Sequence, residues 1–136
     1  MKLAVGLGCD RNTTLLTLAA ALDSALALIG GSRDAIAVFA SIDKKSDETA
    51  MLQLAAQQQK PLRFFSASEL AQVDVPNPSE TVRKYMGTPA VSEAAALLAA
   101  NTGQQDLLVE KYKYLGDDGK NATVSIARMS ITRATP

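Results

Sequence analysis

The chain is 136 residues long, 47% hydrophobic and only 4% aromatic, which predicts one compact domain over residues 1–136 with an aliphatic, alanine-rich core. Its 14 basic residues balance its 14 acidic residues, so the composition shows no sign of a partner made of nucleic acid or of an anionic membrane surface. Because the chain has no histidine and one cysteine, Ser-His-Asp and Cys-His catalysis, histidine metal sites and an intramolecular disulfide are excluded.

The first predicted element is an apolar strand at residues 3–7, which ends in two glycines and a polar turn. The turn supplies the candidate ligand-binding residues Gly6, Gly8, Cys9 and Arg11. It leads into an amphipathic helix with Thr13 as its N-cap, and free amides at a helix N-terminus beside glycine form a candidate anion site. A plain strand-to-helix turn explains the same residues. Both nucleotide signatures fail, because Arg11 replaces the third glycine of one and no Gly-Lys-Ser/Thr follows for the other.

Strands and helices then alternate along the chain. Further strands are predicted at residues 36–40, 62–65, 107–115 and 122–131, and helices at residues 15–29, after Ser46, from Ser66, at 79–85 and at 88–101. Ser46 is the predicted N-cap of the second helix, with Asp47 and Glu48 in its first turn. Ser66 and Glu69 match a capping box. Thr88 is the predicted N-cap of the alanine-rich helix, with a proline at its first position.

This order predicts a single three-layer α/β/α domain, with a mainly parallel sheet and an antiparallel C-terminal hairpin. In the last strand the apolar phase shifts after Ile126, which predicts a bulge or burial on both faces. Ligands of such folds bind outside the carboxyl ends of the parallel strands. Three polar segments, residues 8–12, 41–48 and 66–69, follow those ends. Residues 87–93 join them if their helix points its N-terminus to the same edge.

Four blocks of sequence occur in a specific order along nearly the whole chain. They are Val5-Gly6-Leu7-Gly8-Cys9-Asp10-Arg11, then Ser41-Ile42-Asp43-Lys44-Lys45 with Asp47-Glu48, then Phe65-Ser66-Ala67-x-Glu69-Leu70, then Gly87-Thr88-Pro89-x-Val91-Ser92-Glu93-Ala94-Ala95-Ala96-Leu97. Together they resemble the CobE and CbiG C-terminal family of cobalamin biosynthesis. A single domain of this kind is similar to the stand-alone CobE-type members, which are associated with the aerobic pathway.

In the longer members of the family, a similar domain follows an N-terminal portion that has no counterpart here, and the whole protein opens a lactone ring on a cobalt-bound precorrin. The resemblance therefore implies a role in corrin-ring synthesis. It implies a precorrin or corrinoid as the small-molecule ligand and other enzymes of the cobalamin pathway as protein partners. It implies hydrolase activity only weakly.

The candidate site takes its residues from these blocks and from one later strand. The expected ligand-binding residues are Gly6, Gly8, Cys9, Arg11, Asp43, Lys44, Glu48, Ser66, Thr88, Ser92, Glu93 and Lys111. A precorrin carries acetate and propionate carboxylates around an apolar ring, so its site needs fixed cations beside an apolar surface. Arg11, Lys44 and Lys111 are the expected cations. The alanines at 94–96 let a flat ring approach the helix, and they suit packing against the sheet equally well.

Glu93 and Asp43 are the candidate catalytic residues, because a carboxyl group near a low-dielectric cleft can act as a general acid or base. Both regions also have simpler explanations. Glu93 complements the helix dipole, and Lys44 forms a solvated ion pair with Glu48. The helix dipole favours a thiolate at Cys9, but without a histidine or a second cysteine this residue is no worse as a small core residue.

Two functions remain open at this stage. The first is a non-catalytic carrier or accessory protein for a corrin intermediate, and the second is an enzyme that hydrolyses or isomerises the macrocycle. We predict no cofactor and no metal site in either case. The start of the chain lacks a signal-peptide pattern, and the longest apolar segment, within residues 15–29, is too polar for a bilayer span. We therefore expect a cytoplasmic protein.

Overall fold

The computed structural model describes residues 1–75 and 91–130. The strands are β1 (Leu3–Cys9), β2 (Ile36–Ile42), β3 (Leu62–Phe65), β4 (Leu107–Leu115) and β5 (Asn121–Arg128). The helices are α1 (Leu15–Leu28), α2 (Thr49–Gln58), α3 (Ala67–Ala71) and α4 (Val91–Ala100). The helix predicted at residues 79–85, the Thr88 cap and the last residues of the predicted final strand lie outside the described residues.

The strands form one sheet in the order β3-β2-β1-β5-β4. β1, β2 and β3 are parallel, whereas β5 is antiparallel to both β1 and β4. The predicted parallel sheet with an antiparallel C-terminal hairpin is therefore confirmed. The prediction for the last strand is also confirmed, because the consecutive residues Ser125, Ile126 and Ala127 are all buried and β5 is covered on both faces.

Helices cover both faces of the sheet, which gives the predicted three layers. On one face, here called the leucine face, α1 and α2 pack over Leu3, Val5 and Leu7, whose side chains alternate along β1. On the other, here called the alanine face, α3 and α4 pack over Ala4 and its neighbours in β2. The alternation of β1 side chains thus decides which residues meet which helix layer.

α4 approaches the sheet very closely at Gly6. A Cβ atom built on Gly6 would lie 1.9 Å from the Ser92 carbonyl oxygen and 2.9 Å from the Ala96 amide nitrogen. Only a residue without a side chain allows this approach. The strand also does not end at Leu7 as predicted, because pairing with β5 continues it to Cys9. Gly6 therefore lies inside β1 and packs against a helix instead of forming a turn.

Two predicted helix caps are wrong. α1 is capped by Thr14, whose side chain accepts a hydrogen bond from the Thr17 amide, while the Thr13 hydroxyl donates to the Asp10 carbonyl. α2 begins at Thr49 after an extended Glu48, because residues 43–45 form a 3-10 turn that includes Ser46 as its C-cap. Asp47 and Glu48 consequently precede the helix, and their carboxylates turn towards another loop.

Candidate functional site

The carboxyl ends of β1, β2 and β3 lie at one edge of the sheet, because these strands are parallel neighbours. This edge brings together seven of the predicted site residues: Gly8, Cys9 and Arg11 on and after β1, Asp43, Lys44 and Glu48 after β2, and Ser66 after β3. The Ala100 carbonyl, at the end of α4, accepts from the Ser130 amide, and the neighbouring Met129 amide donates to the Lys2 carbonyl before β1. α4 thus runs antiparallel to β1 and directs its N-terminal end towards the same edge.

Arg11 joins the loop after β1 to the loop after β2. Its Nη1 atom is 2.7 Å from Asp47 Oδ1 and 3.0 Å from Glu48 Oε2. Its Nη2 atom donates to the Lys44 carbonyl at 3.1 Å. The guanidinium is therefore fixed by two carboxylates and one backbone carbonyl, with 54% of the side chain exposed.

Glu48 is the buried member of this group, with 3% of its side chain exposed. Its Oε1 atom accepts from the Asn12 amide at 2.9 Å, and Lys45 Nζ lies 3.9 Å from its Oε2 atom. Asn12 has a positive φ of 63°, a conformation that asparagine tolerates better than most residues and that directs its amide to the carboxylate. A buried carboxylate with these partners holds the two loops in register.

The backbone amides that were expected to bind an anion donate hydrogen bonds to the chain's own carboxylates. Glu48 accepts from Asn12, and the Thr14 amide and hydroxyl, at the N-terminus of α1, both donate to Asp118 Oδ2 at 3.0 Å. The backbone amides of Thr14 and Lys120 are the main groups that lower the pKa of Asp118, to about 2. Next to these loops lies an open cleft of about 460 Å³, the edge cleft, which is lined by residues 11–15, residues 47–50 and Gln53.

Cys9 is half-buried at the end of β1 and packs against the leucine face. Burial raises the pKa of its thiol, and the nearby charge of Glu48 raises it further. The thiolate that the helix dipole was expected to favour is therefore disfavoured, because the cost of burying a charge exceeds the effect of neighbouring cations.

A second polar group lies under α4, on the alanine face. Glu93 is completely buried, and its Oε1 atom is 3.7 Å from Lys111 Nζ, on β4. Next to it, the hydroxyl groups of Ser92 and Ser125 form a buried hydrogen bond of 2.8 Å, and Ser125 also donates to the Glu110 carbonyl. The structure thus joins the predicted residues Ser92, Glu93 and Lys111 in one region. Thr88 lies outside the described residues.

Several residues of these two groups were missed by reasoning from the sequence. They are Asn12, Lys45, Asp118 and Ser125. Asp47 was expected in the first turn of α2 and is instead a partner of Arg11. Only Asn12 had a usable signal, since asparagine after a strand often adopts a positive φ. Among the described residues, no three cysteine, aspartate or glutamate side chains cluster closely enough to hold a metal ion. None of the described helices is long and apolar enough to cross a bilayer.

Comparison with known proteins identifies the family. A family model described as cobalamin synthesis G C-terminus matches residues 3–127. The chain is 34% identical over 134 residues to protein CobE of a Sinorhizobium species, which covers 97% of this chain and 83% of that protein. It is 30% identical over 125 residues to the cobalt-precorrin-5A hydrolase of Priestia megaterium, covering 92% of this chain but spanning only 32% of the hydrolase.

The fold agrees with this assignment. The crystal structure of CobE, a protein from the cobalamin (vitamin B12) biosynthetic pathway, superposes with a TM-score of 0.82 at 31% sequence identity, covering 96% of this chain and 95% of that one. The resemblance inferred from the four sequence blocks is thereby confirmed. The chain belongs to the cobalamin synthesis G C-terminus family and is a cobalamin biosynthesis protein.

Proposed function

We propose that the chain binds a precorrin or corrinoid intermediate of the aerobic corrin-ring pathway and acts as its carrier or accessory protein. The relative named CobE supports this proposal, because it aligns with nearly the whole chain. The proposal includes a cytoplasmic location and contacts with other enzymes of the pathway, to which a carrier delivers its ligand.

The observation that carries the proposal is the edge cleft with its fixed cation. A cleft of about 460 Å³ falls in the size range of small-molecule sites, and it lies outside the carboxyl ends of parallel strands, where ligands of α/β folds bind. Arg11 stands at its wall, with its guanidinium held in place and partly exposed to solvent. This arrangement suits a large ring that carries carboxylate side chains.

The other proposed contacts lie at the same edge or, for Lys111, beside α4 on the alanine face. Lys44 follows β2 and supplies a second cation, and the exposed part of Lys111, 22% of its side chain, supplies a third on the face that α4 covers. Asp43 and Ser66 offer hydrogen bonds to amide or carboxyl groups of the ligand. Gly8 leaves the backbone open, since a Cβ there would meet nothing closer than the Thr123 Cβ atom at 3.7 Å.

A second candidate function is catalysis by Glu93, with Asp43 as its partner. The complete burial of the Glu93 carboxyl group beside an ammonium group favours it, because buried ionisable groups are concentrated at catalytic sites. Opening a precorrin lactone by hydrolysis requires a group that transfers protons, and Glu93 is the best-buried carboxyl group among the described residues. In that case, Glu93 needs access to the ligand from the edge cleft or from the N-terminal end of α4.

The test is to incubate the purified protein with a panel of precorrins and cobalt-precorrins, and to record absorbance spectra and product masses. We expect a shifted spectrum with an unchanged mass for at least one intermediate, in both the native protein and Glu93→Gln. An Asp23→Asn variant is the control, because its carboxylate pairs with Arg33 before β2, at the opposite end of the parallel strands.

A product formed by the native protein, and reduced about a hundredfold or more in Glu93→Gln, would replace the carrier with the carboxylate-dependent enzyme. If the folded native protein changes neither the spectrum nor the mass of any intermediate, both functions are contradicted.

A further inference from the structure

The charges around Arg11 point to a separate role for Asp47. We propose that Asp47 is a displaceable counter-ion, which pairs with the Arg11 guanidinium until a carboxylate of the ligand takes its place. The inference deepens the proposed function and rests on it, since it assigns to the same site a selectivity for carboxylate-bearing macrocycles.

The two carboxylates on Arg11 differ in burial. Asp47 has 74% of its side chain exposed and makes a 2.7 Å contact, whereas Glu48 has 3% exposed. An exposed ion pair contributes little to stability, because water solvates each partner almost as well as the other partner does. Asp47 can therefore leave Arg11 at low cost, while Glu48 would lose its buried contacts if it moved.

Glu48 keeps the cation in position during such an exchange. Besides Arg11, it binds the Asn12 amide and lies beside Lys45, so its own position does not depend on Asp47. The Lys44 carbonyl holds the other terminal nitrogen of the guanidinium. When Asp47 leaves, Arg11 remains oriented at the wall of the edge cleft and presents a planar fork that fits a carboxylate.

The exchange also predicts a selectivity among ligands. Asp47 and Glu48 already compensate the charge of Arg11, so a ligand carboxylate gains little from charge alone. A small anion would therefore bind weakly. A macrocycle gains additional binding free energy when its ring makes further contacts in the cleft. The exchange then selects for large ligands that carry a carboxylate opposite Arg11.

A double-mutant cycle between Asp47→Asn and Arg11→Gln tests the exchange. The probes are cobyrinic acid, a corrin with free carboxylates, and cobinamide, in which these groups are amides. We expect Asp47→Asn to bind cobyrinic acid about two- to fivefold more tightly than the native protein, because the competitor is removed. The same change should leave cobinamide binding unaltered. In the Arg11→Gln background, Asp47→Asn should give no gain.

Asp23→Asn serves as the control, because it removes another exposed arginine–aspartate pair, Arg33–Asp23, away from the edge cleft. An equal gain for cobyrinic acid in the native and Arg11→Gln backgrounds would show a general effect of charge and overturn the exchange. Weaker binding by Asp47→Asn would overturn it too, since Asp47 would then help to hold Arg11 for the ligand.

A second measurement separates this inference from the proposed function. Arg11 lowers the pKa of Asp47 through its hydrogen bond, so carbon NMR of the Asp47 carboxyl group reports whether the pair is intact. Trifluoroacetate is a carboxylate that stays ionised at the low pH where Asp47 titrates. At about 0.2 M, against sodium chloride of equal ionic strength, it should raise this pKa towards its ordinary value. An unchanged pKa contradicts the exchange. If the native protein binds neither corrinoid but trifluoroacetate raises the pKa of Asp47, the exchange holds and the corrinoid ligand fails.

Discussion

On the leucine face of the sheet, large aliphatic side chains of α1 and α2 fill the space above β1, whereas on the alanine face α4 lies directly against the strand backbone. Leu18 and Leu22 are fully buried on the first face, and residues 94–96, all alanine, are buried on the second. The first face derives its stability from large buried side chains, the second from close contact between backbones.

This difference decides where polar groups can be buried. Small side chains on the alanine face leave α4 close enough to the strands for the Ser92 and Ser125 hydroxyl groups to meet and for Glu93 to reach Lys111. In the layer of α1 and α2, the buried polar side chains Thr17 and Glu48 lie at or next to the helix N-termini, and the loops at this edge are its contribution to the candidate site. The two polar groups of the site are therefore held by different means. The loops around Arg11 and Glu48 rest on the packed leucine side chains, whereas the group under α4 depends on the close docking of that helix.

Replacing Gly6 by alanine is the strongest test of helix docking. The new Cβ would meet the Ser92 carbonyl oxygen at 1.9 Å and the Ser92 carbonyl carbon at 2.8 Å, and because these are backbone atoms α4 has to move as a unit. We expect a loss of more than about 3 kcal/mol in the free energy of unfolding, measured in urea, or failure to fold. Gly8→Ala is the control and should change stability by less than about 1 kcal/mol. Equal stability of the two variants would show that α4 is free to shift.

The ion pair under α4 gives the next largest effect. Lys111→Met removes the ammonium group beside a fully buried carboxylate, and we expect the free energy of unfolding to fall by about 1–3 kcal/mol at neutral pH. Glu93→Gln should cost less, since Lys111 keeps partial contact with water. The exposed Lys113→Met, two residues along the same strand, is the control and should stay within about 0.5 kcal/mol. A larger loss in Glu93→Gln than in Lys111→Met would contradict this argument.

The fold followed from the sequence because its signals are local and periodic. Alternating strand and helix patterns, the glycines that end α1 and the capping box of α3 each specify an element, and the right-handed connections of parallel strands then leave few arrangements. The capping box is present as predicted, with Ser66 and Glu69 each accepting from the other's amide. The end of β1 was missed because pairing with β5, more than a hundred residues later, sets it.

The site was less predictable because its contacts join distant loops. The sequence identified Arg11 and Glu48 as polar residues at the correct edge, but it gave no means of telling that they bind each other. Gly6 was assigned to a ligand-facing turn because the sequence pattern, a glycine after an apolar run, is the same whether a ligand or a helix packs against the glycine. The structure shows a helix there.

The smallest expected effect on stability comes from Asp118, whose carboxylate links the β4–β5 hairpin to α1. Removing it tests how α1 is held on the leucine face. Contacts with the Thr14 and Lys120 amides lower the pKa of Asp118 from 3.8 to about 2, so its contribution to stability is complete above about pH 4 and is lost as the pH falls towards 2. Asp118→Asn removes this contribution. The native protein should therefore lose stability more steeply than the variant between pH 4 and pH 2, as followed by thermal unfolding at closely spaced pH values. Asp117→Asn, at the neighbouring exposed position of the same turn, should keep the native slope. If Asp118→Asn also keeps it, the hairpin turn does not cap α1 through this carboxylate, and buried leucine side chains alone hold the helix to its face of the sheet.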